Sequence, residues 1–334
     1  MPVSDERDGL LAVTDPSGEP LRLAFLLVPQ FPLMPFAAAV EPLRAANRIS
    51  DRAVYAWELT SLDGRPVVAS SGSSLAVQCS LKDLEQPDML VVCAGLEPLQ
   101  LAGNRNLRSQ LRRLARQGTM IGAISGGSFI LADAGLLTGR RCTIHWEYAD
   151  LFRLHYPRLE LTQDIYVVDG NVFTCSGGTA ALDLMLHFIG EHCGFKLALA
   201  VADQFIHPRI RQHGDHQRMG AHVRYRLFNP KLAEVVRLME EALGESLNLQ
   251  AITQQVGLSA RQVERLFRHY IGMPPRQFHL QLRLRRSRTL LLETPQAVRD
   301  IALECGFVST SHFCNAYKRT FGRTPSGERQ KAGR

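Results

Sequence analysis

No stretch of this 334-residue chain comes near the ~20 consecutive apolar residues that a membrane-spanning helix needs. Its longest apolar runs, residues 23–29 and 119–124, are only strand-sized. The first twenty residues lack the basic start and apolar stretch of a secretory signal, and they read as a loose, polar, acidic tail. The seven cysteines are scattered and odd in number, with no C-x-x-C pair and no metal-ligand spacing. That pattern excludes a disulfide framework and fits free thiols in a reducing cytoplasm. No membrane partner, metal or cofactor is expected. What the chain does have is 45% apolar residues and enough length for two or three ordinary cores.

The net charge of +7 conceals a split. From residue 228 onward there are 17 Lys/Arg against 9 Asp/Glu, while the rest of the chain holds 22 against 23. All of the excess positive charge therefore belongs to the last hundred residues, which suits a polyanion met by that region alone.

Residues 21–205 alternate short apolar strands with helical patterns. Strands are expected at 21–28, 54–62, 89–93 and 119–124, and helices at 35–47, 104–117, 128–134, 178–192 and 196–205. Segments 159–168 and 172–175 flank the turn Asp169-Gly170-Asn171, a hairpin signal. Alternation of this kind predicts a mostly parallel sheet covered by helices on both faces. Residues 207–229 lose all periodicity and read as a solvated interdomain linker. Its histidines, His207, His213 and His216, have no Cys or acidic set at ligand spacing. After Pro230 every pattern is helical.

The final hundred residues contain one helical unit twice. Gln255-Val256-Gly257-Leu258-Ser259 opens the first copy and Cys305-Gly306-Phe307-Val308-Ser309 the second, each running on to a Gly and a Pro. Gly257 and Gly306 are 49 residues apart, Gly272 and Gly322 are 50 apart. A repeated helix-turn-helix with a polar, basic second helix is what places two helices in the grooves of one duplex. Glycine permits the sharp turn, and Ser259 is a ready N-cap. In the first copy Val263, Leu266 and Phe267 face inward, leaving Ser259, Ala260, Arg261, Gln262, Arg265 and Arg268 toward DNA. Arg and Gln on the first turn suit base edges, and Arg265 and Arg268 suit phosphates. In the second copy Ser309, Thr310, Ser311, His312, Asn315, Lys318 and Arg319 face out. The arginine- and leucine-rich helix 276–292 between them is fitted to join the two units rigidly. The alternative, a charged face on a plain helical bundle, leaves the repeated turn and capping serine without a purpose.

Over this stretch the chain resembles the AraC/XylS family of transcription regulators. The likeness is carried by Val256-Gly257-Leu258-Ser259, Arg265-Leu266-Phe267, Ile301-Ala302, Gly306-Phe307, His312-Phe313 and Phe321-Gly322-Arg323-Thr324-Pro325. Thr253 departs from the family's usual small apolar residue and is expected to loosen the first unit slightly.

In the other half, Gly122-Ala123-Ile124-Ser125-Gly126-Gly127-Ser128 has the form strand, tight turn, helix. Such an elbow holds a side chain above the sheet edge with backbone N–H groups nearby. His145 follows twenty residues on, beside Trp146, and a nucleophile with a histidine is the minimum for acyl transfer. This half resembles the class I glutamine amidotransferase-like superfamily, in its PfpI-type branch, through residues 123–139, Thr143-Ile144-His145-Trp146 and residues 174–183. Enzymes of that superfamily carry Cys at the elbow. A thiol, with a free pKa of about 8.5, is poised as thiolate far more easily than the Ser125 hydroxyl. No third member to orient His145 is evident, and Cys142 and Cys175 cannot replace the nucleophile without moving the site.

The expectation is therefore a retired active site kept for binding, with no catalytic residue. Its pocket would be lined by Ser125, Gly126, His145 and Trp146 and closed by Phe31 and Met34. A structural role for His145, and a core role for Trp146 in place of a cation–π contact, remain as alternatives. Together the halves resemble GlxA-type regulators, among them the glycine betaine-, carnitine- and arginine-responsive activators. That resemblance implies a flavodoxin-like three-layer α/β sandwich at 21–206 and an all-α double helix-turn-helix domain at 230–330. It also implies a cytoplasmic homodimer joined through the N-terminal domain that binds promoter DNA and a small nitrogenous effector and recruits RNA polymerase. Against it stand a Ser125/His145 hydrolase and a DNA-binding scaffold with an inert α/β domain.

Overall fold

The computed structural model describes residues 19–95, 101, 103–217, 229–244, 248–294 and 296–332. The chain divides into two compact units, separated in sequence after Gln217.

Unit 1 is built on a seven-stranded sheet. Its strands are β1 (Leu21–Leu27), β2 (Tyr55–Ser61), β5 (Cys79–Ser80), β6 (Met89–Ala94), β7 (Met120–Ser125), β10 (Tyr166–Asp169) and β11 (Val172–Cys175). They lie in the order β10-β11-β7-β6-β1-β2-β5, all parallel except the β10–β11 hairpin. Two-residue strands β3 (Val67–Val68) with β4 (Ser74–Leu75), and β8 (Arg141–Cys142) with β9 (Glu160–Leu161), form small outlying ladders. β6 and β7 are buried along their whole length, as strands covered on both faces must be, and this explains the apolar run of β6 and of β7 up to Ser125. Helices α1 (Leu33–Ser50), α5 (Ala180–Cys193) and α6 (Phe195–Gln204) pack into the core on one face. Helices α2 (Arg105–Arg116), α3 (Gly127–Asp133) and α4 (Ala149–His155) close the other. The expected strands and helices are present within a few residues of their predicted ends. The expected strand over 159–168 is instead divided between β9 and β10. Among the described residues no helix is long and apolar enough to cross a membrane, and no group of three His, Cys, Asp or Glu is placed to hold a metal.

The sequence reading of 207–229 as a solvated linker needs correction over its first half. Asp183, in the apolar helix α5, is fully buried. Its carboxylate accepts from His207 Nε2 at 2.8 Å, from the Arg211 backbone N–H at 2.7 Å, and from Arg211 Nε and Nη2 at 2.9 and 2.6 Å. Farther on, Ile165 N–H donates to His213 O, and Gln217 Nε2 reaches Thr143 Oγ1, Ile144 O and Asp164 O at 2.9–3.0 Å. A buried carboxylate must have its acceptor capacity filled, and these polar residues fill it. The absence of hydrophobic periodicity hid a segment held by polar bonds. Residues 218–228 of the expected linker, and residues 1–18 of the expected tail, lie outside the described residues.

Unit 2 is helical. Its elements are α7 (Pro230–Glu241), α8 (Leu249–Val256), α9 (Ala260–Tyr270), α10 (Pro275–Glu293), α11 (Val298–Glu304), α12 (Thr310–Phe321) and α13 (Pro325–Ala332). There are two small cores. Phe278 and Leu282 of α10 pack with Ile252, Val263 and Phe267, whereas Leu284, Leu290 and Leu291 of the same helix pack with Ile301, Phe307, Phe313 and Tyr317. One continuous helix thus belongs to both cores and fixes them to each other. Its arginines serve the same end: Arg283 Nε donates to Cys305 O at 2.6 Å and stacks 4.0 Å over Phe307, and Arg288 pairs with the buried Glu328 at 2.7 Å. Thr253 is buried with its hydroxyl bonded to Gln250 O at 2.9 Å, so its polar atom is satisfied inside the helix.

His279 of α10 is 2% exposed, and among the described residues its Nε2 has no hydrogen-bond partner. Burial, then the neighbouring Arg283 charge, push its pKa below the ordinary 6.5, with a backbone contact at Ala242 opposing. The unfolded chain takes up this proton near pH 6.5, the folded one only at lower pH. Stability from this group is therefore intact above pH 6.5 and lost on acidification below it. The melting temperature of unit 2 is expected to fall between pH 7.5 and 5.5, and His279→Phe to reduce that fall. An unchanged pH profile in the variant would contradict the assignment.

Candidate functional site

The two helix-turn-helix units are built alike. In the first, α8 ends at Gly257 (φ 68°), and Gly257 N–H and Leu258 N–H donate to Gln254 O and Thr253 O. In the second, α11 ends before Gly306 (φ 74°), with Gly306 N–H and Phe307 N–H donating to Leu303 O and Ala302 O. A positive φ at both turns is what demands glycine. Ser259 caps α9 in a full capping box: Gln262 N–H donates to Ser259 Oγ at 3.2 Å, and Ser259 N–H donates to Gln262 Oε1 at 2.8 Å. Ser309 caps α12 by accepting from His312 N–H at 3.4 Å.

Beyond the caps, Ala260, Arg261, Gln262, Arg265 and Arg268 are exposed along α9, and Ser311, His312, Asn315, Lys318 and Arg319 along α12, with Thr310 half-buried. Each helix thus turns its apolar stripe to the core and presents a polar face. Gln262 has its side-chain oxygen committed to the cap, which leaves only its NH2 group to donate outward. Arg268 Nε lies 4.0 Å from Glu264 Oε2, a loose exposed pair that a phosphate displaces at little cost.

In unit 1 the elbow is present. Ser125 ends β7 with φ 58°, left-handed backbone in a non-glycine residue, held by the strand before it and α3 after it. Gly177 packs against it so closely that a Cβ there would stand 2.9 Å from Ser125 Cβ. Neighbouring polar groups are locked: Ser128 Oγ donates to Thr143 O at 2.7 Å, and Thr143 N–H donates to Thr174 Oγ1 at 2.8 Å. The Gly126 N–H expected to receive a ligand donates to Ala94 O at 2.9 Å, so it is already occupied.

His145 is the N-cap of the short 3-10 turn Trp146–Tyr148, its Nδ1 accepting from Glu147 N–H at 3.4 Å, with Glu147 Oε2 at 3.6 Å. Nδ1 thus faces Glu147 twice, through its backbone N–H and through its carboxylate. Burial lowers the His145 pKa, and the Glu147 carboxylate opposes. Among the described residues no hydrogen bond joins Ser125 to His145. Trp146 and Met34 are 42% and 57% exposed, whereas Phe31 is fully buried, edge-on to Phe36 at 5.7 Å. Phe31 is a core residue, so it cannot close an open pocket. A cavity of about 380 Å³ lies away from the elbow, along α2, lined by Arg105, Arg108, Ser109, Arg112 and Arg116.

The sequence reading gave no role to Asp183. The signal was available: one acidic residue inside Ala180-Ala181-Leu182-Asp183-Leu184-Met185-Leu186, with a run of basic residues following α6.

Residues 22–191 match the DJ-1/PfpI family and residues 252–331 a helix-turn-helix domain. The chain is 43% identical to the HTH-type transcriptional regulator CdhR of Pseudomonas aeruginosa, over 91% of this chain and 90% of that one. It is 38% identical to the HTH-type transcriptional regulator GlxA of Rhizobium meliloti, over 97% of this chain and 100% of that one. A crystal structure of an AraC family transcriptional regulator from Pseudomonas putida superposes with a TM-score of 0.51 at 28% identity, covering 56% of this chain and all of that one. With two capped reading helices in one unit and a serine elbow in the other, the chain belongs to the HTH-type transcriptional regulators that join a DJ-1/PfpI domain to an AraC-type helix-turn-helix domain.

Proposed function

We propose that the protein is an effector-responsive, sequence-specific activator of catabolic genes for a small nitrogenous metabolite such as a betaine, carnitine or a basic amino acid. The carrying observation is the pair of exposed polar faces on α9 and α12, fixed to each other through the two-core helix α10. Arg261 and Asn315 read base edges, and Arg265, Arg268, Lys318 and Arg319 meet phosphates. Unit 1 binds the effector beside Ser125, His145 and Trp146, joins two copies into a dimer, and the bound complex engages RNA polymerase in the cytoplasm. Binding in place of hydrolysis is supported by the hydroxyl of Ser125 at the elbow, which is far harder to poise as a nucleophile than a thiol.

The test is footprinting on promoters of catabolic operons, paired with a thermal-shift screen against betaines, carnitine and basic amino acids. Protected bases, and a melting rise that saturates with one compound, are the expected results. Ser125→Ala is expected to leave the protected bases unchanged. Turnover of an amide that disappears in Ser125→Ala would establish the hydrolase instead.

A further inference from the structure

The two copies of the helix-turn-helix differ by one residue, and the position of that residue is informative. The matched bonding places Gly257 opposite Gly306 and Leu258 opposite Phe307, since each glycine donates three residues back and each following residue five residues back. In the first copy the N-cap, Ser259, comes next. In the second, Val308 stands between Phe307 and the N-cap Ser309. Leu258 packs on its core and Phe307 is buried in its own, while Val308 is 96% exposed. A single exposed valine is ordinary. An exposed valine inserted into a turn that the same chain makes elsewhere without it has no use inside the fold.

We infer that Val308 is a specificity residue that packs against a thymine 5-methyl group in the major groove. The inference rests on the DNA-reading assignment above and extends it to one side chain. Val308 immediately precedes the cap of α12, and the N-terminal end of a recognition helix is the end that reaches base edges. Its side chain has no donor or acceptor, and the apolar group that base edges offer in the major groove is the thymine methyl. The polar neighbours Thr310 and Ser311 accept or donate to any base, so the valine supplies the discrimination they lack. The first copy, with no residue at this place, has no equivalent contact.

The experiment uses the intact protein and duplexes selected by it from a random pool. Each thymine of the best site is then replaced singly by uracil, which removes only the methyl group. One replacement in the part of the site read by α12 is expected to weaken binding about fourfold, the worth of one buried methyl-sized group. Val308→Ala and Val308→Ser are expected to bind the thymine site about fourfold more weakly, to melt with the parent protein, and to be indifferent to that uracil. Equal binding of every thymine and uracil duplex by the parent, or a uracil effect that persists in Val308→Ser, would overturn the inference. So would variants that bind DNA normally but fail to activate transcription, because the valine would then touch a protein. Failure of the pool to enrich any sequence would overturn the regulator reading itself, a result distinct from the other three.

Discussion

Replacing Arg211 by alanine is expected to cost unit 1 roughly 3–5 kcal/mol, because it strands the Asp183 carboxylate in the protein interior. Asp183 has no exposure to solvent, and of the four donors it accepts from, three belong to Arg211. The alanine variant keeps the backbone donor and loses the fork. His207 Nε2 at 2.8 Å then remains as the one side-chain donor to Asp183 among the described residues. Lysine does not restore the arrangement, since it lacks the rigid guanidinium with which Nε and Nη2 of Arg211 both reach Asp183 Oδ2 while Nη2 also donates to Thr179 Oγ1 at 2.6 Å. For a domain of this size the expected loss is a fall in melting temperature of about 10 °C. Residues 207–217 are also expected to become sensitive to protease in Arg211→Ala, because the other ties of this segment are individual hydrogen bonds such as those of Gln217. A melting point within 2 °C of the parent would show that the carboxylate finds water or another donor, and that the cluster does not hold the segment. The replacement Asp183→Asn separates charge from shape: it keeps an acceptor oxygen for Arg211, and the expected loss is smaller.

That cluster also marks where the sequence ceased to be readable. The sheet was legible because a strand buried on both faces must be largely apolar, and β6 and the part of β7 before Ser125 are. The reading helices were legible for a stronger reason: turn glycine, capping serine and inward stripe occur twice, and each copy checks the other. The polar segment 207–217 gave no such sign, since bonds between residues 28 positions apart leave no periodic trace. The elbow shows a third case. Its strand–turn–helix form was visible and Ser125 does sit in strained backbone, yet the commitments of Gly126 N–H to Ala94 and of His145 Nδ1 to Glu147 depend on where other strands and turns end. Those hydrogen bonds decide what the site can do, and the spacing of residues does not encode them. The one-residue difference between the repeats was present as unequal glycine spacings, 49 against 50, but only the turn hydrogen bonds show that Val308 is the extra residue.

Removing Arg261 and removing Arg268 are expected to have different consequences, although both are exposed arginines on one helix. Arg261 is the second residue after the Ser259 cap, and Arg268 lies in the last turn, roughly 10 Å farther along the axis. The first turn of a recognition helix faces base edges, where an arginine fork on guanine is worth about 1–3 kcal/mol of discrimination. Arg261→Ala is therefore expected to lower affinity for the selected duplex by that amount and to leave affinity for random duplex nearly unchanged. Arg268→Ala is expected to weaken both duplexes alike and to make the dependence of log K on log salt shallower by about 0.9, the signature of one lost phosphate contact. Asn315 is exposed on α12, six residues after the Ser309 cap, at the place Arg265 holds on α9. Because α10 fixes the two cores to each other, both helices are expected to engage one duplex together, and the losses in Arg261→Ala and Asn315→Ala to add. The double variant should bind its site about thirtyfold more weakly or worse, the product of two contacts each at the lower limit of that range. If the double variant binds no worse than either single one, only one unit occupies the duplex at a time. Rigid joining through α10 would then serve the fold and not the reading of DNA.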